Sequence, residues 1–119
     1  MTITLYGISN CDTVKRARAW LASPDGQGAV VAFHDFKKLG VPADLLAGWM
    51  AAVGWQRLVN RQGTTWRTLD EAVRAAVMDE ASARALMLAQ ASVIKRPVVV
   101  WADGGVTVGF DEAEFKRRV

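Results

Sequence analysis

Ile3-Thr4-Leu5-Tyr6-Gly7-Ile8-Ser9-Asn10-Cys11-Asp12-Thr13-Val14-Lys15 is the stretch from which the rest of the chain is read. An apolar, partly β-branched run closes on a glycine, a short polar loop follows, and then comes the only cysteine of the chain. From Asp12 the pattern changes: Val14, Ala17, Trp20 and Leu21 recur on one helical face, with Lys15, Arg16 and Arg18 around the rest. The order is strand, loop, thiol, helix. A thiol at a helix N-terminus faces unpaired backbone N–H groups and the positive end of the helix dipole. Both favour the thiolate, which is the nucleophilic form. Lys15 adds a positive charge one turn on, and Asp12 opposes it. The plain alternative for a free cysteine is a small buried hydrophobe; the polar neighbours Asn10, Asp12 and Thr13 favour a reactive Cys11.

Outward from this stretch, Thr2 to Tyr6 alternate as a short strand. Ser23-Pro24-Asp25-Gly26-Gln27-Gly28 stops the helix with turn residues, and Ala29 to Phe36 reads as a second strand. Strand, helix and parallel strand make a right-handed βαβ unit. Lys37 to Pro42 reads as a connector. Leu46, Trp49, Met50 and Val53 then mark a helix that ends at Gly54-Trp55. Gln56 to Arg67 reads as a polar loop, Thr68 to about Val77 as a short helix, and Asp79-Glu80 as the acidic first turn of another helix running to about Ala91. Val98-Val99-Val100-Trp101 is apolar throughout, as in a strand buried on both faces. Asp103-Gly104-Gly105 signals a hairpin into Val106 to Phe110, and Asp111 caps a last helix. This gives one α/β domain. Its core spans about 1–40 and 92–119, with a mixed sheet of about four strands, and a helical insert covers about 42–91.

The 119 residues suit a single domain with a real core, and 51% hydrophobic against 23% charged content is that of an ordinary globule. No apolar run reaches the roughly 18 residues of a membrane span. The N-terminus lacks the pattern of a signal peptide. A lone cysteine cannot form an internal disulfide, which points to a reducing compartment, the cytoplasm. A net charge of +3, with bases interspersed among acids and no stacking platform of aromatics, argues against direct nucleic-acid binding. One histidine and one cysteine far apart fall short of a metal-ligand set.

Four motifs, in order and at matching spacing, carry a family resemblance. They are Tyr6 to Lys15, Phe33-His34-Asp35-Phe36-Lys37-Lys38, Leu58-Val59-Asn60-Arg61-Gln62-Gly63-Thr64-Thr65-Trp66-Arg67, and Ile94-Lys95-Arg96-Pro97-Val98. With them the chain resembles the ArsC/Spx family of thioredoxin-like proteins, the arsenate-reductase relatives, and most of all its YffB branch. The resemblance implies a thioredoxin-like fold with redox chemistry at Cys11 and a proline, here Pro97, whose peptide bond is typically cis and lies against the active cysteine. It implies that Arg96 holds the thiolate, while Asn10, Thr13, Lys15, Arg61 and Pro97 border the substrate or glutathione. Asn10 either caps the helix or orients Cys11.

In the arsenate reductases a histidine four residues before the cysteine and three arginines support the cycle. Here Gly7 takes the histidine's place, and the third arginine's place in the last hairpin holds Val108-Gly109-Phe110. Two supports of arsenate chemistry are therefore missing. Cys11-Asp12-Thr13-Val14 has no second cysteine, so the dithiol switch of the Spx regulators is excluded. What the resemblance implies is a monothiol reductase with glutathione as co-substrate and glutaredoxin as a further partner. The alternative is an Spx-like module that docks on RNA polymerase without catalysis.

Overall fold

Strand β1 (Thr2–Gly7) lies at the centre of the sheet because Ile3 and Leu5 are wholly buried and both its edges are paired. The structure, a computed structural model, describes residues 2–119. On one side β1 runs parallel to β2 (Val30–Asp35), with Thr2 opposite Val30 and Gly7 opposite Asp35. On the other it runs antiparallel to β3 (Val98–Val100), which pairs with β4 (Val106–Val108). The strand order is β2-β1-β3-β4. Helix α1 (Asp12–Ala22) makes the crossover from β1 to β2. This is the mixed, thioredoxin-like sheet that the sequence led one to expect.

The described residues fall into two units, one running through Leu39 and resuming at Arg96–Val119, the other Gly40–Lys95. In the first, α1 buries Val14, Ala17, Trp20 and Leu21, the four positions read from its periodicity. They join Ile3, Leu5, Val99, Trp101 and Phe115 in one core. Phe115 comes from α8 (Glu112–Arg118), whose N-cap Asp111 accepts hydrogen bonds from Ala113 N–H and Glu114 N–H. Its ring meets those of Trp101 and Phe110 edge-on, each with centroids 4.9 Å apart, and that of Trp20 at 5.7 Å. Trp101 Nε1 donates to Thr107 Oγ1 at 3.0 Å, so the one polar atom of a buried indole is satisfied.

Strand ends differ from the sequence reading. Phe36 does not extend β2; it opens a single helical turn, α2 (Phe36–Leu39), inside the expected connector. Asp35 Oδ1 accepts from Lys37 N–H at 2.8 Å, a local bond that turns the chain out of the sheet. β3 stops at Val100 and β4 at Val108. Gly109 N–H leaves the hairpin to donate to Pro97 O at 2.9 Å.

In the second unit α3 (Ala43–Val53) buries Leu46, Trp49 and Met50. Beyond Gly54 the expected polar loop is instead two short helices, α4 (Trp55–Leu58) and α5 (Thr64–Thr68), and the helix expected over 68–77 is reduced to α6 (Glu71–Ala75). Tertiary burial accounts for the change. Leu58 and Val59 are buried with Val93 and Ile94, and the two segments pair: Asn60 N–H donates to Val93 O at 2.8 Å and Lys95 N–H to Leu58 O at 2.7 Å. α7 (Glu80–Ala89) begins one residue after Asp79, which is its N-cap rather than part of its first turn. Asp79 Oδ1 accepts from Ser82 N–H, and Ser82 Oγ accepts from Asp79 N–H, a reciprocal cap that ties down both donors.

Two substitutions separate core from cap. Phe115→Ala should cost about 3–5 kcal/mol, the scale of emptying an aromatic site in a packed core. Asp79→Ala should cost clearly less, because it removes only an exposed N-cap. Urea midpoints of the two variants against the parent chain check the ranking, and equal losses would contradict it.

Candidate active site

The loop Ile8 to Asn10 carries the chain from β1 into α1, and Cys11 is the residue at which it becomes helical. Cys11 has extended backbone angles (φ −97°, ψ 124°) and is itself the N-cap; its C=O accepts from Lys15 N–H at 2.9 Å. The thiol therefore stands where the first-turn N–H groups are unpaired by the helix. The Val14 and Thr13 N–H groups face it and favour its charged form, without closing a side-chain cap hydrogen bond. The third contributor is Arg96, which acts on Cys11 from the residue before Pro97, through both a hydrogen bond and a positive charge. The Arg96–Pro97 peptide bond is cis, and Pro97 is buried.

These contacts set the thiol's acidity. Partial burial of Cys11 is the largest single influence and raises its pKa. The Val14 N–H, the Arg96 hydrogen bond and charge, and the Thr13 N–H lower it, and together they win: the thiol titrates below its ordinary value. Cys11 is half-buried and free, so the sulfur is both activated and reachable.

Cys11, Thr13, Arg96 and Pro97 thus share one unit, with Thr13 and Arg96 on the sulfur. Asn10 is exposed and does not cap α1, because the chain enters the helix one residue later. Lys15 is exposed; its side chain lines a hollow beside α1 and β2 with Arg18 and Phe33, and the lowering of the thiol comes from Arg96 and the backbone. Arg61 belongs to the second unit, exposed, with its guanidinium carbon 5.3 Å from the Trp55 ring centroid. The sequence reading missed Val14, taken only as a core residue. Its position three residues after the cap was a signal, because that is the N–H an N-cap side chain accepts.

The two departures from the arsenate-reductase pattern have structural reasons. Gly7 is buried against α1: a Cβ there would lie 2.8 Å from Val14 Cγ2, so no larger side chain fits unless Val14 shifts. Phe110 is packed on Phe115 in the core, and Gly109 adopts φ +80° while bonding Pro97. Among the described residues no three His, Cys, Asp or Glu side chains gather as a metal site.

Comparison with known proteins follows the same lines. Residues 6–118 match the model of the ArsC family. A Haemophilus influenzae protein described as uncharacterized is 39% identical over 114 residues, 96% of each chain. The solved structure of a protein named YffB matches with a TM-score of 0.87 and 46% identity, over 98% of this chain and 97% of the other. An arsenate reductase (ArsC) related protein from Brucella melitensis is 49% identical with a TM-score of 0.73, covering 98% and 93%. An arsenate reductase from Vibrio cholerae, 16% identical with a TM-score of 0.80 over 100% and 98%, shares the fold.

The rate of Cys11 alkylation against pH should have its midpoint below that of a free thiol, about 8.5. Arg96→Met removes a donor and a charge that favour the thiolate, so its midpoint should move up. The sign for stability follows from the same shift. A thiol depressed in the folded state contributes stability above its unfolded pKa, and that contribution is lost as pH falls through the folded midpoint. An unshifted midpoint, or one indifferent to Arg96→Met, would remove Arg96 from the site.

Proposed function

The chain belongs to the ArsC family, and on that premise we propose that it is a glutathione-dependent monothiol oxidoreductase, with Cys11 as nucleophile. The observation that carries the reading is the half-buried, acidified thiol at the start of α1 with Arg96 on the sulfur. It works in a reducing compartment, the cytoplasm, where a lone cysteine stays reduced.

The chemistry is thiol–disulfide exchange. The Cys11 thiolate attacks the glutathione sulfur of a mixed disulfide. The substrate's S–S bond breaks, its sulfur leaves as thiolate and takes a proton from water, and Cys11 is left bonded to glutathione. A second glutathione thiolate then attacks that glutathione sulfur. Glutathione disulfide departs and the Cys11 thiolate is regenerated, with Arg96 and the Val14 and Thr13 N–H groups holding its charge each time it appears. In sum, the mixed disulfide and one glutathione become the substrate thiol and glutathione disulfide. Glutaredoxin is a second route for clearing the same adduct.

The mixed disulfide must be resolved from outside, because this chain has one cysteine. Reduction of arsenate itself is left out of the proposal: Gly7 stands where that chemistry has a histidine, and Val108-Gly109-Phe110 where it has an arginine.

With a glutathionylated peptide as substrate, Cys11→Ser should fall to the uncatalysed rate with its fold intact. Arg96→Met should lose roughly tenfold or more, the scale of one charge-assisted hydrogen bond at about 1.5–3 kcal/mol. Glutathione should also protect Cys11 from alkylation. Activity surviving Cys11→Ser would overturn the proposal, and a parent chain no faster than the uncatalysed rate would favour the non-catalytic alternative, docking on RNA polymerase.

A further inference from the structure

Among the described residues β2 is an edge of the sheet: it pairs with β1 on one side and no second strand lies on the other. Every second residue of such a strand turns its N–H and C=O outward. Edges are normally blunted by lysine, proline, a bulge or a covering loop. Val30-Val31-Ala32-Phe33-His34-Asp35 contains neither lysine nor proline, keeps an unbroken six-residue register with β1, and leaves Val30 63% exposed.

The face of this strand toward α1 is also open. Ala29, Val31 and Phe33, two residues apart and hence on one side of the sheet, form the floor of a hollow of about 530 Å³. Its far wall is α1, through Lys15, Arg18, Ala19 and Ala22. Arg18 lies over the Phe33 ring at 4.2 Å, which holds the guanidinium at the strand rather than loose in solvent. A second hollow of about 400 Å³ shares Arg18 and Phe33 and continues to Lys38 and Leu39 at the strand's end. Three cations, Lys15, Arg18 and Lys38, thus run beside an apolar floor. Among the described residues the ion pairs are those of Glu114 with Arg117 and Arg118, so none of the three is neutralised. The one carboxylate in the hollows, Asp35, is buried and bonded to Lys37 N–H.

We propose that the open edge of β2 and the basic hollow beside it form a docking site for an extended, acidic polypeptide segment, which adds to the sheet as a fifth strand. Main-chain hydrogen bonds to β2 supply sequence-independent affinity, and alternate side chains falling over the α1 side supply selection. Apolar residues on that side meet Ala19, Ala22 and Val31; acidic ones meet Lys15, Arg18 and Lys38. A basic segment is repelled. The site makes no use of the thiol, so it stands whether or not Cys11 is catalytic.

The test uses the full chain, labelled with 15N, and a blocked heptapeptide alternating glutamate and valine. Saturable amide shifts should be confined to residues 29–35 and the facing positions of α1, with slowed hydrogen exchange at alternate β2 amides. A lysine–valine peptide of the same length should bind at least about tenfold more weakly, a difference of ~1.4 kcal/mol. Methylation of alternate peptide nitrogens should abolish binding, and Lys15→Gln with Arg18→Gln should weaken it with the rest of the spectrum unchanged. Four results would each overturn the proposal. They are no saturable shifts at millimolar peptide, equal binding of the basic peptide, equal binding of the methylated one, or sedimentation of the free chain as a dimer with β2 already protected.

Discussion

The close approach of β1 and α1 at Gly7 is the constraint on which the rest depends. Val14 is wholly buried, and its Cγ2 occupies the space a Cβ on Gly7 would need. With no side chain at residue 7, the helix can lie directly on the end of the strand. The loop between them is then short, and Cys11 must begin the helix. Had α1 been held off by even one methyl group, the helix start would shift, and with it the two N–H groups that reach the sulfur. The core below is laid down from the same contact, because Ala17, Trp20 and Leu21 follow Val14 on the same helical face and meet β1, β3 and Phe115. The glycine that excludes a histidine from the site is therefore the residue that brings the helix to it.

Acidity at Cys11 is a balance of opposing effects. Burial alone would raise the thiol's pKa and silence it. The fold answers with donors that were already obliged to exist. The first-turn N–H groups of any helix lack backbone acceptors, and here a sulfur stands in their place. Arg96 is the added element. It is fixed by a neighbour, Pro97, that is buried and tied to Gly109 by a backbone bond, so the guanidinium is presented by a loop anchored at both the strand and the hairpin. A guanidinium cannot lose its proton at any accessible pH, so its effect on the thiolate persists across the whole titration.

Much of this was legible in the sequence. The 3.6-residue spacing of Val14, Ala17, Trp20 and Leu21 fixed the buried face of α1, and the valine run Val98 to Val100 marked a strand covered on both faces. Asp111 was legible as a cap because its chemistry is local. Features that depend on distant partners were not. Gln56 to Arg67 looks polar residue by residue, but Leu58 and Val59 pair with a segment more than thirty positions away, and that pairing makes helical turns of the flanks. Asn10 failed as a cap for want of one residue of register, a distinction finer than composition can make. Val14 was legible as core but not as a donor, because a backbone N–H carries no residue type.

Position 14 also explains why this chain holds one thiol. Three residues after the nucleophile is where a dithiol protein would keep its second cysteine, on the same helical face and within reach of the first. Here that face is committed to packing: the side chain fills the space above Gly7 while the N–H serves the sulfur. A cysteine is smaller than valine by about a methyl group, and placing one at this wholly buried position would open a void between strand and helix, at a cost on the order of 1 kcal/mol. It would also point the new thiol into the core rather than toward solvent. The packing that positions the reactive sulfur is thus the packing that denies it an internal partner. Any covalent adduct formed on Cys11 has to be resolved by a thiol that arrives from outside, and the half-exposed sulfur leaves the way open for it.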